Sequence, residues 1–94
     1  MSMKRVQVAT KIFNEPVPGV LVNTDLGDCI FVYDVATDTM GIHAPDDMAM
    51  GRVVALIEMV SKKYIEEGIN PFEPDDTVPL IMENDMIFRR RNEA

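Results

Sequence analysis

The N-terminal half of the chain consists of short apolar runs separated by turn-forming residues. The β-prone runs comprise residues 4–13, 20–24, 29–33 and 39–43. In the first run, Val6, Val8 and Ile12 would share one face of a half-buried strand. The segments 16–19 and 25–28 are rich in residues that favour turns. Together these runs predict an antiparallel meander of about four strands.

Residues 29–33 are apolar without alternation, which indicates a strand that is covered on both faces. One helix can cover only one of those faces. The other face would then be shielded by the segment 78–88 or by a second copy of the protein. We therefore expect a homodimer with an apolar contact at Phe31 and Val32.

A single long amphipathic helix is predicted over about residues 45–67. Pro45 suits the first helical position, and Asp46 and Asp47 would complement the positive end of the helix dipole. Gly68 is a typical stop signal. The apolar stripe of this helix comprises Met50, Val53, Val54, Ile57, Val60 and Tyr64. The helix would be about 35 Å long and would lie across one face of the sheet.

Two further β-prone pieces, residues 78–82 and 86–90, flank a polar tripeptide at 83–85. They predict either a C-terminal hairpin or a single bent, extended segment packed against the sheet. The predicted fold class is therefore α+β, with a meander, one long helix and this C-terminal element. We expect residues 1–94 to form a single domain. Residues 1–3 are expected to lie outside it, as disordered chain or a cloning remnant.

The 94 residues include nine Lys and Arg against sixteen Asp and Glu, a formal net charge of -7 at pH 7. This negative net charge opposes direct binding to nucleic acid and to anionic membranes, because their phosphates repel acidic proteins and bind cationic side chains. It favours a basic protein partner, although acidity also serves solubility alone. Residues 12–51 and 64–88 contain no Lys or Arg. The candidate partner-binding carboxylates in these stretches are Asp25, Asp28, Asp34, Asp38, Asp75 and Asp76.

The chain also contains eight methionines. Met48 and Met59 would project to the polar side of the predicted helix, where core packing does not account for them. Methionine suits adaptable contact surfaces and also fills irregular gaps in cores. We therefore count these two residues among the candidate partner-binding residues, with gap filling as the alternative.

The sequence contains no recognisable catalytic or metal-binding motif. His43 lies close to Asp46 and Asp47, but helix capping accounts for the two aspartates better than a metal site does. Cys29 is the only cysteine, so no internal disulfide forms, and its neighbours favour a buried thiol over a nucleophile. We expect no catalytic residue, no metal and no cofactor.

These features favour a non-catalytic acidic protein-binding module or inhibitor that docks on a basic partner, including one that itself binds nucleic acid. The alternative is a small-ligand-binding or sequestering protein with a pocket at a sheet, helix or subunit boundary. Such a pocket would be lined by Phe31, Tyr33, Tyr64 and His43. The single cysteine and the lack of an apolar run of about 20 residues favour a cytoplasmic protein.

Overall fold

The computed structural model describes residues 2–90, which form a six-stranded sheet and one helix. The strands are β1 (Ser2–Ala9), β2 (Val17–Thr24), β3 (Gly27–Asp34), β4 (Thr39–His43), β5 (Leu80–Met82) and β6 (Ile87–Arg90), and the helix is α1 (Met50–Glu66). The strand order across the sheet is β5-β1-β2-β3-β4-β6. The predicted α+β class, with an antiparallel four-stranded meander and a helix on one face, is confirmed.

The strands of the meander extend beyond the apolar runs that predicted them. β2 begins at Val17, so Pro18 and Gly19 lie within a strand rather than in the predicted turn. Ser2 and Met3, which the sequence placed outside the fold, pair with the far end of β2. Backbone pairing with a neighbouring strand therefore extends β1 and β2 through segments whose intrinsic β propensity is weak.

The first strand ends earlier than predicted because Thr10 starts a turn. Its hydroxyl accepts hydrogen bonds from the backbone N–H groups of Ile12 and Phe13, at 3.2 and 3.3 Å. Threonine commonly stabilises a turn in this way. Ile12 is consequently exposed, although the alternation placed it on the buried face of the strand.

β5 and β6 do not form the predicted hairpin, because they run in the same direction. β5 pairs parallel with β1 at one edge of the sheet, and β6 pairs antiparallel with β4 at the other. The three antiparallel pairs of the meander make β4 opposite in direction to β1. The alternative prediction, a bent extended segment packed against the sheet, describes residues 80–90. We call these residues the closing segment.

The short connection inside the closing segment requires the sheet to curl. In a flat sheet β5 and β6 would lie about 24 Å apart, five strand spacings of about 4.8 Å. Residues 83–86, which join them, span at most about 17 Å. The sheet therefore curls until its two edges approach each other. The nearly equal molecular dimensions of 31 × 30 × 27 Å agree with this shape.

The concave face of the curled sheet encloses an apolar core, which we call the inner core. Its buried residues are Val6, Val8, Val17, Ile30, Val32 and Met86, with Phe13, Leu21, Ile81 and Phe88 packed against them. Within residues 2–90 no helix covers this face, and the curl of the sheet and the closing segment exclude water from it. Met86 is the buried contribution of the closing segment to the inner core, and Ile81 and Phe88 of the same segment pack against it.

Helix α1 packs on the convex face and is shorter than predicted. It starts at Met50 rather than at Pro45 and contains 17 residues, which is about 25 Å. The prediction that Asp46 and Asp47 lie in its first turn is wrong, because both precede the helix. The N–H of Met48 donates to the carbonyl of Pro45 at 3.0 Å, so this segment forms a separate turn. Among residues 2–90, no helix has the length and apolar character needed to cross a membrane.

The side of α1 that packs on the sheet is rotated from the predicted stripe. The buried helix residues are Val53, Leu56, Val60 and Tyr64. They pack against Val20, Val22, Cys29 and Phe31 of the sheet and against Met48, a cluster that we call the outer core. Met50 and Val54, two members of the predicted stripe, remain exposed.

β3 is covered on both faces, as its continuous apolar run predicted. Cys29 and Phe31 belong to the outer core, and Ile30 and Val32 belong to the inner core. Each of these four side chains is buried within one copy of the chain. The uncovered face that motivated the homodimer prediction is therefore absent from the described residues.

Candidate interaction groove

An apolar groove lies on the convex face, where α1 leaves part of the sheet uncovered. Its volume is about 590 Å³. The floor comprises Met40 and Ile42 of β4 and Ile87 and Arg89 of β6. The wall comprises Ala44, Pro45, Met48, Met50 and Val53, from the segment that leads into α1 and from its first turn. The groove is therefore built by an edge of the sheet and by the beginning of the helix.

Strand register places the floor residues on the same side as the helix. Ile42 pairs with Phe31, whose side chain belongs to the outer core. Met40 lies two residues away along β4 and so projects from the same face. Ile87 and Arg89 pair with Ile42 and Met40, which continues this face onto β6.

The late start of α1 leaves the apolar floor open to water. Residues 44–49 form the link between β4 and the helix, and within this link Met48 turns into the outer core. Its Sδ lies 3.5 Å from Sγ of Cys29. Met50 and Ile87, which line the groove, remain 72% and 68% exposed. Two large apolar side chains of the groove are thus in contact with solvent.

A strip of apolar residues along α1 extends this surface beyond the groove. Met50, Val54, Ile57 and Ile65 fall within about 80° of one another, at 100° per residue. We call these four residues the helix flank. Three of them are exposed and Ile57 is half-buried. Met50 belongs to both the groove and the helix flank, so the first turns of the flank adjoin the groove, while the exposed Ser61 lies between Ile57 and Ile65 on the same side of α1.

Charged side chains stand at the two ends of the groove. Asp85 lies beside His43, the last residue of β4: its carbonyl oxygen is 3.3 Å from Nδ1 of His43. Asp46 lies three residues after His43 in the chain, at the same end of the groove. Arg89 pairs with Met40, three residues before His43 and so about 10 Å away along the strand. The groove is therefore acidic at one end and basic at the other.

The predicted partner-binding carboxylates do not form one surface. Asp25 and Asp28 lie at the β2–β3 turn, Asp34 and Asp38 at the β3–β4 turn, and Asp75 and Asp76 in the loop after α1. β3 has eight residues, so the first two turns lie about 23 Å apart. None of these carboxylates lines the groove.

Several of these carboxylates have partners in their own neighbourhood. Asp25 forms an ion pair with Arg52, and this hydrogen-bonded guanidinium lowers the pKa of the carboxyl. Asp34 accepts hydrogen bonds within its own turn, from the N–H of Ala36 at 3.1 Å and from the hydroxyl of Thr37 at 2.9 Å. The contact of Asp25 joins its turn to α1, and those of Asp34 stabilise its own turn, so each carboxylate has a structural role.

Asp75 and Asp38 also accept hydrogen bonds from neighbouring side chains. The hydroxyl and N–H of Thr77 donate to Asp75 and lower its pKa, with a smaller effect from Arg5, whose Nη1 is 3.1 Å away. Asp38 has a φ of 51° and accepts a hydrogen bond from the hydroxyl of Tyr33. A left-handed backbone is typical of aspartate at such a turn.

The two predicted contact methionines have different positions. Met48 precedes the helix and is buried, so its predicted place on the polar side of α1 is wrong and the gap-filling alternative describes it. Met59 is 44% exposed, but it lies about 180° from Met50 around the helix. The groove and the helix flank therefore do not include Met59.

The side chains considered as metal ligands or catalytic groups do not form a cluster in the described residues. His43 lies 3.8 Å from Glu83, and the described residues contain no group of three His, Cys, Asp or Glu side chains that could hold a metal ion. Cys29 is buried in the outer core, and this burial raises the pKa of its thiol. A thiol with a raised pKa is a poor nucleophile.

Of the residues predicted to line a ligand pocket, His43 contacts Asp85 at one end of the groove, and the other three lie elsewhere. Phe31 and Tyr64 fill the outer core, and Tyr33 packs edge-on against Phe72 with ring centroids 6.1 Å apart. The floor of the groove, with Met40 and Ile87, was not predicted as a site. The signal in the sequence was weak, because the run 86–90 carries apolar residues on both faces of its strand.

Comparisons of the chain with models of known protein families, with curated proteins and with solved structures find no match. The groove and its surroundings are therefore the basis for a functional assignment.

Proposed function

We propose that this protein is a non-catalytic protein-binding module or inhibitor, and that the groove and the helix flank form its binding surface. The main support is the apolar lining of the groove, beside which Met50 and Val54 of α1 are exposed. Monomeric proteins rarely leave a wide contiguous apolar patch in water unless a partner covers it. Met40 and Met50 add side chains that adapt to the shape of a partner.

The extent of the surface favours a macromolecular partner. The helix flank runs from Met50 to Ile65, which is about 22 Å along α1. A small molecule in the groove would leave Val54 and Ile65 exposed. A protein segment that follows the helix would cover the groove and the helix flank together.

The net charge of -7 favours a basic partner. Its long-range field would accelerate association with a cationic protein, while the apolar contacts in the groove would slow dissociation. Because none of the candidate carboxylates lines the groove, they would act on the association rate more than on the bound complex. We place this module in the cytoplasm, where a single unpaired cysteine stays reduced.

The groove itself supports a second candidate, a small apolar ligand. Its volume of about 590 Å³ falls within the usual range of small-molecule sites, about 300–1,000 Å³. The groove also lies at a boundary between sheet and helix, which is the position predicted for the pocket of a ligand-binding protein. A thermal-shift screen with apolar and amphiphilic compounds distinguishes this candidate, because a true ligand raises the melting temperature with its concentration.

The proposal is tested by capture with matched variants of the tagged protein. Met50→Asp and Ile87→Asp each place a carboxylate on the apolar surface, and Met59→Asp places one on the opposite side of the same helix. We expect proteins captured by the unmodified chain and by Met59→Asp to be lost from the two groove variants. Circular dichroism confirms that each variant is folded.

Identical capture by all four proteins would contradict the proposal. The salt dependence of capture then tests the role of charge separately. The association rate with a captured partner should fall as ionic strength rises, because exposed charges are screened within about 8 Å at physiological salt.

A further inference from the structure

We infer that the groove binds an amphipathic helix of the partner, with the N-terminal end of that helix at Asp46 and Asp85 and its C-terminal end at Arg89. This inference rests on the proposed function and adds the secondary structure and the direction of the bound segment. Shape, charge and the neighbouring apolar surface each contribute to it.

The dimensions of the groove suit a short helix. From Asp85 to Arg89 the closing segment advances four residues, or about 13 Å. A helix of about nine residues has this length. Its apolar positions at i, i+3, i+4 and i+7 would contact Met40 and Ile42 on the floor and Met50 on the wall.

The charges at the two ends set the direction of that helix. The N-terminal end of a helix carries a partial positive charge and the C-terminal end a partial negative charge. Asp46 and Asp85 stand at one end of the groove, and Arg89 stands at the other. A helix in the proposed direction meets an opposite charge at both ends, and the reversed helix meets a like charge at both ends.

An extended strand is a poorer occupant. Among the described residues, β6 pairs with β4 alone, so its other edge is open. A strand added there would lie beside Arg89, and basic residues commonly protect an edge against such pairing. It would also extend the sheet away from α1 and leave the wall of the groove at Met50 uncovered.

A second copy of this chain is also a poorer occupant. Each copy carries a net charge of -7, so two copies repel one another at long range. Within residues 2–90, α1 is also the one helix that a copy could offer, and its buried stripe already packs on its own sheet.

The direction is tested with two hydrocarbon-stapled peptides of identical composition. Both carry leucine at i, i+3, i+4 and i+7. One has lysines in its first turn and glutamates in its last turn, and the other has these charges exchanged. We expect the lysine-first peptide to bind about tenfold more tightly, as measured by fluorescence anisotropy, since each end contributes one favourable charge contact.

Methyl resonances of methionine locate the bound peptide. The Met40 and Met50 signals should shift on titration, while the Met59 signal on the opposite side of α1 should not. In the triple variant Asp46→Lys, Asp85→Lys, Arg89→Glu, the preference between the two peptides should reverse. That reversal supports the inference, because a purely apolar contact would not respond to the charges.

Other results would overturn the inference. Equal affinities, or a preference that persists in the triple variant, would exclude the proposed direction. Shifts confined to Met59 would exclude the groove. Binding of neither peptide, or concentration-dependent dimerisation that shifts Met40 and Met50 without peptide, would exclude a partner helix as occupant. The proposed function fails separately, when the groove variants capture the same proteins as the unmodified chain.

Discussion

Gly41 illustrates how closely single residues fit in the inner core. A Cβ atom at this position would lie 2.7 Å from Cγ2 of Val32 and 2.7 Å from Cδ1 of Phe88. The ring of Phe88 also meets the ring of Phe13 edge-on, with centroids 5.1 Å apart, which restricts its movement. Gly51, by contrast, has no atom within 4 Å of an added Cβ.

These two glycines give opposite predictions for the same substitution. Gly41→Ala should lower the free energy of unfolding by about 1–3 kcal/mol, because the added methyl group overpacks the inner core. Gly51→Ala should raise it by about 0.5–1 kcal/mol, because alanine favours the helical backbone. Urea denaturation measures both changes. A Gly41→Ala protein as stable as the unmodified chain would contradict the described packing.

At the scale of elements, the sequence predicts the strands well and the packed face of the helix less well. A strand has two faces, so alternation or its absence specifies burial directly. In α1 the apolar residues from Leu56 round to Ile65 cover about 180° of the circumference. Periodicity alone does not determine which part of so wide an arc meets the sheet.

The orientation of α1 is tested at Leu56 and Val54. Leu56, which the predicted stripe omitted, is 2% exposed, and Val54, which it included, is 48% exposed. Leu56→Ala should lower the free energy of unfolding by about 2–5 kcal/mol, and Val54→Ala should change it by less than about 1 kcal/mol. Denaturant midpoints compare the two variants. Equal losses would contradict the described orientation, and a larger loss at Val54 than at Leu56 would indicate the predicted one.

The groove was not predictable because its floor depends on contacts that are distant in the chain. The β propensity of residues 78–82 and 86–90 indicates extended structure but does not identify its partner strands. Pairing of β6 with β4 depends on the curl of the whole sheet. The charge pattern also predicted Asp34 and Asp75 as contact residues, but Asp34 bonds within its own turn and Asp75 bonds to Thr77 and Arg5.

At the scale of the whole molecule, one curled sheet separates two apolar cores. The outer core is closed by α1, and the inner core is closed by residues 80–90. A chain of 94 residues buries a smaller fraction of its surface than a larger protein does. Each contact that closes a core should therefore have a large effect on stability.

Met86 and Met82 test the closing segment. Met86 is buried in the inner core, whereas Met82, four residues earlier, is exposed. Met86→Ala should lower the free energy of unfolding by about 2–5 kcal/mol, while Met82→Ala should change it by about 0.5 kcal/mol or less. Thermal and urea unfolding measure both variants. A mild effect at Met86 would mean that the inner core stays closed without this side chain.

The closing segment also places its successive residues on opposite sides of the molecule. Met86 and Phe88 belong to the inner core, while Asp85, Ile87 and Arg89 line the groove. Deleting a single residue from the connection would exchange these two sets, because side chains alternate along an extended chain. Ile87 and Arg89 would then point inward and Phe88 outward. The length of this connection is thus constrained more strictly than the identity of residues 83–85, because an altered length would place the charge of Arg89 in the inner core.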